Sequence, residues 1–241
     1  GLSVRKDGAS TELNEKNLDR LNYLIACFKK RGIYIITDCY VSRRFTEEEL
    51  EAWGAGGFKH LVFLKESAMA NWKRFVKNWF TAKNPYTGLA LGDDPVLIGV
   101  NLINEGFLGE RWNGPMGEIK QAQFRKWLNG KGWKDEPKKH EELAAAWLLE
   151  TYERSYREMY AYLRNELGMK VPVSDQNHHS EWLLSFLRDR YDYVDNHYYF
   201  DHPQFPVKAW TLPARLENVS SLKSAAADLT WMFPTRIYGK P

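Results

Sequence analysis

Two cysteines, Cys27 and Cys39, are all that 241 residues contain, too few for a disulfide framework, and neither has a second Cys or a His at metal-ligand spacing. Both are expected as buried thiols. No apolar stretch reaches the roughly 18 residues that a membrane-spanning helix needs, and no charged segment leads into an apolar one as in an export signal. The segment therefore predicts neither a membrane partner nor a signal of its own. Glycine patterns are missing as well. No strand-like run is followed by Gly-x-Gly-x-x-Gly or a P-loop, which argues against nucleotide binding and an open doubly wound sheet. No Ser lies between glycines as a nucleophile elbow, which argues against the α/β-hydrolase arrangement. Charge of one sign is not in surplus: 34 Lys+Arg against 31 Asp+Glu leaves a net +3, so no nucleic acid partner is implied.

What the chain has in quantity is aromatic surface. Phe, Trp and Tyr make up 15% of residues, with 10 Trp and 13 Tyr. Two readings stand side by side: amphipathic core residues, or flat platforms for an apolar ring face such as a sugar presents. The length suits one α/β domain, and no repeat, low-complexity tract or flexible linker divides it.

Helix and strand patterns alternate along the chain. Asn14 is placed to cap a helix carrying Leu18, Leu21, Ile25 and Phe28, with Lys29, Lys30 and Arg31 in its last turn and Gly32 stopping it. Residues 33–37 are rich in β-branched side chains and predict a strand ending at Asp38. Thr46-Glu47-Glu48-Glu49 has capping-box spacing for a short helix that Gly54 ends. Longer helices are predicted over residues 69–83, 118–128 and 141–167, with shorter ones over 180–188 and 220–232. Further strands are predicted over 96–103, 170–174 and 193–199. Such alternation makes a parallel sheet, and four βα units are half of an eight-stranded barrel.

The run 96–103 organises this reading. Seven of its eight residues are apolar or Gly, Asn101 being the exception, which predicts a strand buried on both faces. Asn104 and Glu105 follow it directly. Parallel α/β folds bind ligands at the carboxyl ends of their strands, so this pair is placed where chemistry is expected.

The order of Asp38 at the end of the first strand, Asn104-Glu105 after the second, and Asp195-Asn196-His197-Tyr198-Tyr199 within the last resembles family 5 of the glycoside hydrolases, the cellulase-like retaining glycosidases built on a (β/α)8 barrel. The resemblance runs over essentially all of the chain. It implies a partial TIM barrel, about four consecutive βα units corresponding to the third to sixth strands, with residues 1–241 a single catalytic-domain fragment. By the same resemblance, residues 236–241 approach a seventh strand, and the first two and last two strands, the nucleophilic Glu and an Arg of the second strand are expected outside this segment. Glu105 takes the place of the acid/base, Asn104 of the group that holds the sugar 2-hydroxyl, and His197 and Tyr199 of the His-x-Tyr that lines the subsite. Tyr40 stands where the family usually has a His. Asp38, Trp112 and Asn177 complete the predicted substrate-binding set.

Cleaving a glycosidic bond needs a proton for the leaving oxygen and a second carboxylate for the oxocarbenium-like centre, about 5–5.5 Å away in a retaining enzyme. Glu105 is expected to give that proton and later to activate water. Asp175, Asn177, His178 and His179 are a weaker cluster, because adjacent His residues point apart and no third ligand has suitable spacing; neither metal nor cofactor is expected. The expected partner is a β-linked poly- or oligosaccharide, with self-association through exposed sheet edges, and the parent protein is expected to be secreted or periplasmic. A carbohydrate-binding or scaffold module derived from such a barrel stays open as the alternative.

Overall fold

The protein is seen in a computed structural model that describes residues 9–106, 108–109, 112–175, 177, 187–195, 197 and 203–216. At its centre three strands, β1 (Ile35–Asp38), β2 (Leu97–Asn101) and β3 (Val173–Ser174), form a parallel sheet in that order. Asp38 pairs with Asn101 and Asn101 with Ser174, so the three strands end level with one another. Backbone bonding continues one step further, with the Cys39 N–H donating to Asn101 O and the Leu102 N–H to Ser174 O.

β2 departs from the expectation of burial on both faces. Leu97, Val100, Leu102 and Ile103 are buried, whereas Ile98 is 47% exposed. Ile35 pairs with Leu97 and Ile36 with Gly99, which leaves Ile98 as the extra residue of an irregularity in register.

The predicted strand over 193–199 is not a fourth member of this ladder: residues 193–195 are irregular, and 198 and 199 lie outside the described residues. Two backbone bonds nevertheless run this segment beside β3 in the same direction. The Asp192 N–H donates to Val173 O at 2.9 Å and the His197 N–H to Asn177 O at 2.9 Å. The Asp192 carboxylate also accepts from the Val173 N–H, so a side chain occupies a position that a strand would give to backbone.

The helices start and stop where local chemistry directs. α1 (Glu15–Lys30) begins under Asn14, whose side chain accepts from the Asn17 N–H, and stops before Gly32 at φ +69°. α2 (Glu47–Trp53) has the full capping box between Thr46 and Glu49, and ends at the left-handed Gly54. α3 (Phe58–Leu64) was not legible in the sequence pattern, since six of its seven residues are buried and no polar face gives it a helical period. α4 (Glu66–Phe80), α5 (Gly114–Lys131) and α6 (His140–Ala161) follow, and a π turn at Tyr162–Glu166 extends the last to Gly168, at φ +67°. α3 is the hub of the helical layer, packing on α4, α5 and α6.

Cys39 is buried as expected, and Cys27 only partly so. The predicted helix over 220–232 and the stretch 236–241 lie outside the described residues, as does 180–186. Among the described residues no helix is long and apolar enough to cross a membrane.

Candidate functional site at the carboxyl end of the sheet

Level strand ends bring three loops together. After β1 comes Cys39-Tyr40, after β2 the turn 102–106, and after β3 Asp175 and Asn177. The Asn104 N–H donates to Tyr40 O at 2.8 Å, and the Ile103 N–H to the buried carboxylate of Asp175 at 3.1 Å. Trp72 of α4 donates its indole N–H to Leu102 O at 3.3 Å, which fixes the turn from below.

Glu105 is held at φ +49°, the left-handed region that a residue with a Cβ rarely adopts. Its N–H donates to Asn177 Oδ1 at 2.7 Å, a bond that compensates this backbone. Strain of this kind, on the order of 1–3 kcal/mol, persists only where surrounding contacts over-determine it, and it collects at functional positions.

The Glu105 carboxylate meets His197, with Oε1 accepting from Nδ1 at 2.9 Å, and both side chains keep about a third of their surface open, 34% and 29%. The other ring nitrogen, Nε2, lies 3.1 Å from Asn177 Nδ2. Asn177 thus bonds Glu105 through its backbone and His197 through its ring, while His197 closes the loop onto the Glu105 carboxylate.

A second polar cluster lies on the sheet face beneath. Asn101 donates from Nδ2 to Asp195 Oδ2 at 2.9 Å and accepts at Oδ1 from the Tyr193 hydroxyl at 3.1 Å, with Asp38 its register partner on β1. Burial pushes the Asp38 carboxyl above its ordinary value, and the Asp195 charge adds to this, against the pull of Asn101, His197 and Lys59. Among the described residues no group donates to Asp38 Oδ1, which is buried. Lys59, from α3, is depressed by burial while the charges of Glu105 and Asp38 draw it back up. Burial also pushes the Tyr193 hydroxyl well up, helped by Asp195 and Asp38.

Of the eight predicted site residues, the structure brings Glu105, His197 and Asn177 into direct contact, with Asn104 in the same turn and Asp38 one strand away. Two assignments need correction. Tyr40 is 6% exposed, with its ring 4.7 Å from Phe58 and the Arg43 guanidinium 5.6 Å from its centroid, so it is a core aromatic with no face for a sugar. Asn177 is fully buried and both ends of its amide are engaged by Glu105 and His197, so it does not touch substrate. Trp112 is half-buried, edge-on to Trp147 and Phe124, with its indole N–H on Gly109 O. Tyr199 lies outside the described residues.

Sequence reasoning missed Asn101, Lys59 and Tyr193. Asn101 had a signal, as the one polar residue inside the apolar run. Lys59 had none, because its place depends on how α3 docks.

No protein-family model and no curated protein sequence matches the chain. Among solved structures, the endo-β-1,4-mannanase from Thermotoga petrophila is similar at a TM-score of 0.36 and 21% identity, over 53% of this chain and 27% of that one. An overlay that loose fixes neither fold family nor activity, and the chain spans 27% of that enzyme's length. Among the described residues no three His, Cys, Asp or Glu side chains gather as metal ligands; His178 and His179 lie outside them.

Proposed function

We propose that this chain carries the acid/base half of a retaining glycoside hydrolase of the family 5 type, acting on a β-linked poly- or oligosaccharide, and that its sheet is part of a (β/α)8 barrel. The observation that carries the reading is the Glu105 carboxylate, partly open at the end of the middle strand and hydrogen-bonded to His197. A general acid must reach the glycosidic oxygen, which requires partial exposure, and must be held in one orientation, which His197 provides.

Oε1 of Glu105 is already accepting from His197, so the proton for the leaving oxygen resides on Oε2. After departure of the leaving group the same carboxylate takes a proton from water. Asn104, partly exposed in the same turn, is placed to hold a sugar hydroxyl beside the scissile bond. Asp38 is poorly suited to be the second carboxylate, because burial favours its neutral form and a nucleophile must be ionised. No described residue is assigned that role.

Glycosides graded by leaving group test the reading in a protein that also supplies the second carboxylate, since without it no turnover is expected. Glu105→Gln is expected to lose turnover of poorly activated substrates by at least about 10²-fold, within the range for general acid catalysis, while sparing much of it for aryl glycosides that depart without a proton. Equal loss on both classes would remove Glu105 from the acid role. Oligosaccharide binding without turnover, in a protein that also supplies the second carboxylate, would mark a binding module instead.

A further inference from the structure

The bonds around Asn177 determine where the protons lie. The Glu105 backbone N–H can only donate, so the atom of Asn177 that faces it at 2.7 Å is the amide oxygen. The amide nitrogen is thereby turned toward His197, and an NH2 can only donate. His197 Nε2, 3.1 Å away, must therefore accept through its lone pair and carry no proton. The ring proton then sits on Nδ1, where it is donated to Glu105 Oε1 at 2.9 Å. Each bond in the chain fixes the direction of the next, and it starts from a backbone group that cannot be reversed.

We propose that Asn177 is a positioning residue: it holds His197 as the neutral Nδ1–H imidazole and, through the Glu105 N–H, sets the carboxyl that this imidazole grips. Its burial supports the assignment, since with no surface of its own it acts only through its two neighbours. A second tie makes the arrangement rigid. The His197 N–H donates to Asn177 O at 2.9 Å, so the two residues are joined at backbone and side chain alike. The orientation also has a chemical consequence. An Nδ1–H tautomer supplies Glu105 with a donor but no positive charge, which steadies the carboxyl without holding it ionised, as a general acid requires. With aspartate at position 177 the logic inverts. A carboxylate accepts from the Glu105 N–H as the amide oxygen does, but it also accepts at Nε2, and so draws a proton onto that nitrogen.

This inference rests on Glu105 as the acid for its significance, but its test does not require turnover. Long-range 1H–15N spectra of the imidazole rings, recorded near pH 8, above the ordinary histidine pKa of about 6.5, report which ring nitrogen is protonated. The His197→Gln spectrum identifies the His197 signals among the six histidines. The unaltered protein is expected to show His197 Nε2 at the unprotonated position and Nδ1 at the protonated one, opposite to the tautomer that prevails for histidine free in water. Asn177→Asp is expected to move Nε2 to the protonated position. An Nε2–H tautomer in the unaltered protein would overturn the proposal by itself, whether or not the variant folds. An unchanged tautomer in a folded Asn177→Asp would overturn it too. Failure of Glu105 in the leaving-group series, with the tautomer as expected, would remove the glycosidase reading and leave Asn177 as the lock on His197.

Discussion

Asn101 sits beside two carboxyls, that of Asp38, its register partner, and that of Asp195, to which it donates. Asp38 is the one that burial disfavours as an anion, and the sign of its effect on stability follows from linkage. Its folded pKa is raised above the ordinary 3.8, so the folded state binds this proton more tightly than the unfolded chain does. The resulting stabilisation is present in full below the unfolded value and is lost as pH rises through the folded one. Asp38→Asn is therefore expected to raise the melting temperature at neutral pH, with the gain shrinking as the medium is taken down toward pH 3.8. A variant that melts lower at neutral pH would show that the Asp38 anion is stabilised by groups outside this cluster. Residue identity alone carried part of this site: Asn104-Glu105 ends an apolar run, and a carboxylate at a buried strand's end is visible in one dimension. Tyr40 and Asn177 were misread because their roles depend on what surrounds them. Arg43, whose guanidinium burial lowers to about 10, stacks 4.2 Å over Phe75 and lies 5.6 Å from the Tyr40 ring centroid, within the same aromatic cluster. Asn177 is polar for the sake of two neighbours more than 70 residues and 20 residues away in sequence.

Among the elements, α1 and α2 were legible to their caps, while the segment after Asp192, expected as a strand, is irregular over 193–195. Its Tyr and Val residues favour a strand, yet strand preference yields to tertiary partners. The Tyr193 hydroxyl is drawn to Asn101 and the Asp192 carboxylate to the Val173 N–H, which spoils a regular ladder. Gly99 makes this possible. A Cβ there would stand 3.2 Å from the Tyr193 hydroxyl oxygen and 3.3 Å from its ring edge, tighter than ordinary packing. Gly99→Ala is accordingly expected to push Tyr193 off Asn101 and to cost about 1–3 kcal/mol, the usual range for overpacking, read as a lower urea midpoint. An unchanged midpoint would mean that Tyr193 can step aside freely. α3 escaped sequence reasoning for the opposite reason. Buried nearly all round, it shows no periodic contrast, although it delivers Lys59 to the site.

At the scale of the molecule, three parallel strands end level with one another, and α3 packs on α4, α5 and α6 in a mixed α/β arrangement. Ile36 is 54% exposed on the sheet face that Asp38 and Asn101 share by register, so an apolar strand residue lies bare on that face. The polar groups converge at the carboxyl ends of the strands, the position where parallel α/β folds bind ligands. A crystal structure of the Glu105→Gln protein with a β-linked oligosaccharide tests most directly whether a sugar occupies that end. The expected result is a glycosidic oxygen within hydrogen-bond reach, about 2.6–3.2 Å, of the residue at position 105, with Asn104 on an adjacent hydroxyl. An oligosaccharide seated elsewhere on the protein, with position 105 and His197 still facing only each other, would contradict it.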